Sequence, residues 1–193
     1  MTSLTQTDIE NFWIRCYLNP TTNLTEAAID RAYRDFNRTL HGIGKEQTKD
    51  KQDALKSAIT KIVSEVLTSS FNSQHDFDKW HEAKCIELIK AYNDIAKHKL
   101  YIGQAQKWIN MSLKYLFALG DNRIQGITKN YKYFHFPVDN IIQDKFVKLG
   151  IAKFKIAWSR IDNYADYLNY QELIRTKFAG QIPLDVEFRL FNE

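Results

Sequence analysis

The feature that most constrains this chain is a helical apolar period that recurs in almost every window, broken only by short polar stretches. The segment 7–18, "TDIENFWIRCYL", places apolar residues at 9, 12, 13, 16 and 17. In 50–70 they fall at 55, 58, 59, 62, 63, 66 and 67. Both series mark one face of a 3.6-residue helix. Helices are predicted over 7–18, 24–40, 50–70, 77–100, 105–119, 139–150 and 163–180. Their expected N-caps include Thr25, Asp76, Asp139 and Asp162, with Gly42, Gly120, Gly150 and Gly180 past the ends. The tail, "IPLDVEFRLFNE", is open to a short helix or an extended strand. No stretch alternates convincingly with a period of two. Seven glycines and three prolines in 193 residues argue against an all-β or linker-rich chain. The expected fold is all-α.

Length permits one compact domain, or two small lobes sharing a cleft. Residues 77–150 are read as one lobe, and 1–76 with 151–193 as the other. The connection "HGIGKEQTKDKQ" (41–52) is the most mobile-looking. Cys16 and Cys85 lie in helical patterns without metal-ligand spacing and are read as buried, reduced thiols. The start, "MTSLTQTDIENFW", lacks the basic and apolar runs of a signal peptide. No apolar stretch reaches spanning length, so no membrane partner is expected and a cytoplasmic place is. A net charge of +4 permits a nucleic-acid partner without demanding one.

The segment "AKHKLYIGQAQKWINMSLKYLFALG" (96–120) supplies the parts of a phosphate-binding turn: Lys97 and Lys99 on the approach, Gly103 at the turn, then a helix. A helix N-terminus offers free amides and a positive dipole end to an anion. Within it, "GQAQKWINMSL" resembles the hairpin and second helix of the helix-hairpin-helix DNA glycosylases, whose pattern reads G-x-G-x-K-T-A-N-x-x-L. Gly103, Lys107, Asn110 and Leu113 fall in register. Ala105 stands in place of the second glycine, and Trp108-Ile109 in place of Thr-Ala. Further on, "FHFPVDNIIQDKF" (134–146) is similar to the family segment that carries the catalytic aspartate, which Asp139 matches. The connection between them, lengthened by "DNRIQGITKNYKYFHF", is closest to the archaeal 8-oxoguanine glycosylase branch. With two cysteines the chain has no four-cysteine iron–sulfur loop.

The resemblance covers roughly residues 95–150. It implies a two-lobed glycosylase with a helix-hairpin-helix and a central cleft. Its partner would be double-stranded DNA carrying a damaged or modified base, bound by a monomer without a cofactor or metal. Lys107 would be the nucleophile on C1′, and Asp139 would stabilise positive charge on the sugar. Lys97, Lys99, Gly103 and Gln104 would contact DNA. From the residues themselves, Trp158 is read as lining the base pocket, His135 either as entering it or as a packed or surface loop histidine, and Trp13, Trp80 and Trp108 as core. The aromatic run Tyr131, Tyr133, Phe134 and Phe136 fits either the pocket or the core. Two other classes stay open. One is a non-catalytic DNA-binding or scaffold protein. The other is a helical ribonuclease built on Arg34 and His41, whose spacing is similar to the HEPN-type element. The discriminating geometry is whether the Lys107 amine and Asp139 carboxylate face one cleft, a few ångströms across; a scaffold would bury one of them or point them apart.

Overall fold

The computed structural model describes residues 3–20, 23–41, 43 and 48–193. The protein is all-α, with no strand among the described residues. In chain order the helices are α1 (Gln6–Leu18), α2 (Leu24–Phe36), α3 (Lys49–Thr68), α4 (Gln74–Ala96), α5 (Ile102–Leu119), α6 (Asn140–Lys148), α7 (Tyr164–Lys177) and α8 (Pro183–Asn192). Short 3₁₀ turns follow at Asn37–Thr39, Ile127–Tyr133 and Trp158–Arg160. The tail left open between helix and strand is helix α8, with Pro183 at its first position, where a missing N–H costs nothing.

Two helices begin earlier than their expected caps, and one begins a residue later. Asn23, not Thr25, caps α2, its side chain accepting from the Glu26 amide at 2.9 Å. Ser73, not Asp76, caps α4 in the same way at 3.1 Å. Asn163 replaces Asp162 at the start of α7. In α2 and α4 the polar residue three positions before a free amide takes it, and the later candidate falls inside the first turn. Asp139 does cap α6. Gly42 and much of the 41–52 connection lie outside the described residues.

The fold is organised around α5. Every residue from Ile102 to Lys114 is buried, so this helix is enclosed on all sides rather than amphipathic. Its apolar positions enter the core: the Trp108 ring stacks on Phe36 of α2 at 5.0 Å and donates its indole N–H to the Ile29 carbonyl. The buried apolar side chains of both expected lobes, from Leu18 to Leu190, merge into one cluster around it. The lengthened connection after α5 is pinned to α3 by Asn130. That side chain donates to the Val66 and Ser69 carbonyls and accepts from the Phe71 amide. From its far end, Phe134, Phe136 and Val138 turn inward and deliver Asp139 to the start of α6.

Trp13 and Cys16 depart from expectation. Trp108 is core and Trp80 half-buried, but Trp13 on α1 is 65% exposed. Cys85 is buried, whereas Cys16 is exposed. The apolar stripe of α1 faces outward, because its other side docks on the body of the protein through Ile14 and Leu18.

Candidate active site

An enclosed helix that carries Gln104, Gln106, Lys107, Asn110, Ser112 and Lys114 must find a partner for each of them, because an unpaired buried polar group costs about twice what a satisfied one gains. Those partners define the site. A cavity of about 900 Å³ opens between α1, α2, α5, α6 and α8. Lys107 lies in its wall, 4% exposed, and donates from Nζ to Asp139 Oδ2 at 2.5 Å. The two residues are 32 positions apart in sequence. The Asp139 carboxylate is divided: Oδ1 accepts from the Ile142 amide at 2.9 Å and caps α6, leaving Oδ2 for the amine.

Asp139 is held by the residue before it. The Gln106 amide pairs with both backbone groups of Val138, donating to its carbonyl at 2.9 Å and accepting from its amide at 3.2 Å. Asn110 donates to Gln106 Oε1 at 2.9 Å and to the Tyr167 hydroxyl at 2.8 Å. Tyr167, which also accepts from Gln171, spends its own proton on His135 Nδ1 at 2.9 Å. His135 Nε2 then donates to Asp78 Oδ1 at 2.7 Å, and Arg175 closes the chain with two bonds to Asp78. Burial lowers the His135 imidazole to about 4 despite the Asp78 carboxylate, so it is neutral near pH 7. Burial alone would raise Asp78, but the bonds from His135, Gln74 and Arg175 outweigh it and hold the carboxyl well below its usual range.

One helical repeat beyond Lys107, on the same face of α5, Lys114 pairs with Glu187 of α8 at 2.7 Å. Both line the cavity, and the Lys114 ammonium also lies over the Phe188 and Phe191 rings. Burial raises the Glu187 carboxyl against the pull of Lys114 and Lys107. The cavity thus holds two buried lysines, each matched by a carboxylate from a different helix.

The other expected site residues separate into groups. Trp158 lines the cavity. His135 does not: it is buried within the network behind Asp139, because Asp78 and Tyr167 satisfy both ring nitrogens. Gly103 is not a phosphate cradle. Its amide already donates to the Ile161 carbonyl at 3.0 Å. A Cβ there would lie 1.8 Å from the Trp158 carbonyl oxygen, so the glycine serves a close helix-to-turn contact. Gln104 is likewise occupied, accepting from the Tyr101 amide and donating to the Thr39 carbonyl and hydroxyl. Lys97 is exposed in the left-handed cap of α4, with φ of 52°. Lys99 is exposed, paired with Asp162 at 3.0 Å and lying over the Tyr101 ring. Arg34 and His41 are exposed, and neither lines the cavity.

Sequence reasoning did not single out Gln106 or Glu187. The only available signal was the seven-residue step that puts Lys114 on the Lys107 face. Comparison of the chain with protein-family models, curated proteins and solved structures finds no match. No helix among the described residues is long and apolar enough to cross a membrane.

Proposed function

We propose that the protein is a DNA glycosylase with lyase activity, which excises a damaged or modified base flipped out of a duplex into the cavity between α1, α5, α6 and α8. One observation carries the reading: the Lys107 amine and the Asp139 carboxylate meet at 2.5 Å in the wall of a single cavity. A lysine nucleophile must shed a proton before it attacks, and the nearest acceptor is Asp139 Oδ2. A carboxylate fixed by a helix cap and by Gln106 needs no reorganisation as charge develops.

In the proposed reaction the N-glycosidic bond breaks and the base leaves with the bonding pair. Positive charge develops at C1′ and the ring oxygen, beside the Asp139 carboxylate. Lys107 then passes a proton to Asp139 Oδ2, and its free amine attacks C1′. Ring opening yields an imine, and loss of a C2′ proton expels the 3′ phosphate. A base inside a duplex is out of reach, so this chemistry requires flipping, and the cavity has room for a nucleobase and its sugar. In this reading residues 77–150 form the hairpin-bearing lobe, the protein acts as a monomer, and it works where DNA is, in the cytoplasm or nucleoid. The exposed Lys97 and Lys99 remain the backbone contacts, without help from Gly103 or Gln104. Against a non-catalytic protein stands the placement of both groups in one cavity wall, a few ångströms apart; the burial of Lys107, 4% exposed, is the feature that a scaffold would share.

The test is a cleavage screen on duplexes each carrying one modified base, read before and after alkali. Nicking before alkali on at least one duplex is expected. No excision across damaged purines, damaged pyrimidines and modified cytosines would remove the reading.

A further inference from the structure

Helix α1 carries an unexplained surface. Its apolar stripe, readable in the sequence as one face of an amphipathic helix, points into solvent. Phe12 is 59% and Trp13 65% exposed, with Ile9 and Tyr17 beside them. A large apolar patch left open on a folded protein marks a contact. The exposure does not come from a loose helix. Thr5 caps α1 and binds Asp8, and Arg123 donates to Glu10 and Asn11. The Tyr17 hydroxyl meets that of Tyr115 at 3.1 Å, with Arg31 over the Tyr17 ring. Both acids of α1 are therefore engaged within the protein. The helix is fixed at both ends and holds Phe12 and Trp13, edge to face at 5.4 Å, outward between them.

We infer that Phe12 and Trp13 form a stacking platform for unpaired nucleobases of the strand engaged in the cavity. The inference takes its partner, nucleic acid, from the proposed function. Position favours this occupant: Trp13 is at once exposed and part of the cavity wall, so a strand that enters along α1 meets it on the way in. Chemistry favours it too. The same wall carries the exposed Arg38, and Arg31, though paired with Asp35, lies over the Tyr17 ring, so aromatic faces and guanidinium groups share one side of the cavity. That pairing suits a base on a phosphodiester, and aromatic stacking accepts any base. A lipid surface or a second copy of the chain would need only the apolar ridge.

The test uses the full chain, a duplex with a tetrahydrofuran abasic site flanked by 2-aminopurine, and the same duplex intact. Binding should quench 2-aminopurine only in the abasic duplex. Trp13→Leu should abolish the quench and weaken abasic-duplex binding roughly tenfold, with intact-duplex affinity unchanged. Equal binding of the abasic duplex by the variant overturns the platform, as does equal weakening for both duplexes. So does light scattering that shows a wild-type dimer which Trp13→Leu dissolves while DNA affinity stays the same. Should the variant fail to fold, an unquenched 2-aminopurine with wild-type protein overturns it as well. Borohydride trapping on an aldehydic abasic duplex separates the two claims. Quench without an adduct removes the lyase chemistry and leaves the platform, whereas an adduct without any Trp13 effect removes the platform alone.

Discussion

Replacing Asp139 with asparagine separates the two tasks of one side chain. Oδ1 caps α6 through the Ile142 amide, and asparagine caps about as well as aspartate, so that task survives. Oδ2 pairs with Lys107, and that task is lost because the amide carries no charge and turns donors toward an ammonium. Removing one partner of a fully buried ion pair costs about 3–5 kcal/mol. The Asp139 side chain is 20% exposed, so water reaches it and the expected loss is smaller, roughly 1–3 kcal/mol. Asp139→Ala should cost about 1 kcal/mol more, since it also removes the cap. Urea unfolding of the three proteins gives both differences. In single-turnover excision, Asp139→Asn should be slower by about 10²–10⁴-fold, the range for losing a proton acceptor or a preorganised charge. DNA affinity should hold, because the carboxylate acts on charge present only in the transition state. Two results would refute the reasoning: excision within about tenfold of wild type, or equal stability of the asparagine and alanine variants.

Two further outcomes follow from the surroundings of this pair. Gly103→Ala should destabilise by about 1–3 kcal/mol or more through its clash with the Trp158 carbonyl; a thermal melt close to wild type with weakened DNA binding would instead restore the phosphate reading. Acidification should also destabilise the protein in two windows. His135 drops from an ordinary 6.5 to about 4 on folding, so between those values the unfolded chain binds more protons and stability falls as pH falls, by roughly 3 kcal/mol in all. Buried His81, also lowered by its burial, acts in the same direction. The depressed Asp78 carboxyl adds a further loss only below its unfolded value near 4. Unfolding free energies measured from about pH 7 to about pH 2 check both windows, and a flat profile between 6.5 and 4 would contradict the histidine part.

The helices were legible because burial on one face imposes a period, and α2, α3 and α7 obey it. What periodicity does not encode is which body covers a face. The stripe of α1 has the same form as that of α3, yet Ile59 and Val63 of α3 are core while Phe12 and Trp13 of α1 are open. The opposite case is α5, where Gln106, Lys107 and Lys114 are buried on a helix enclosed on all sides. Their partners come from Val138, Asp139 and Glu187, far along the chain, with no local pattern to announce them. Lys107 and Asp139 were singled out through the motif resemblance, not through spacing. The Gly103 position was identified by the same route, and its role was misjudged, because a motif specifies a small residue without saying whether a phosphate or a carbonyl fills the space.

The central claim, that Lys107 is a nucleophile activated beside Asp139, is tested most directly by borohydride trapping on a duplex carrying an excisable base, followed by mapping of the adducted peptide. An adduct on Lys107 is expected, with adduct and strand nick lost together in Lys107→Gln. Mapping matters because Lys114 lies in the same cavity. An adduct confined to another lysine, or full nicking by Lys107→Gln, would contradict the claim.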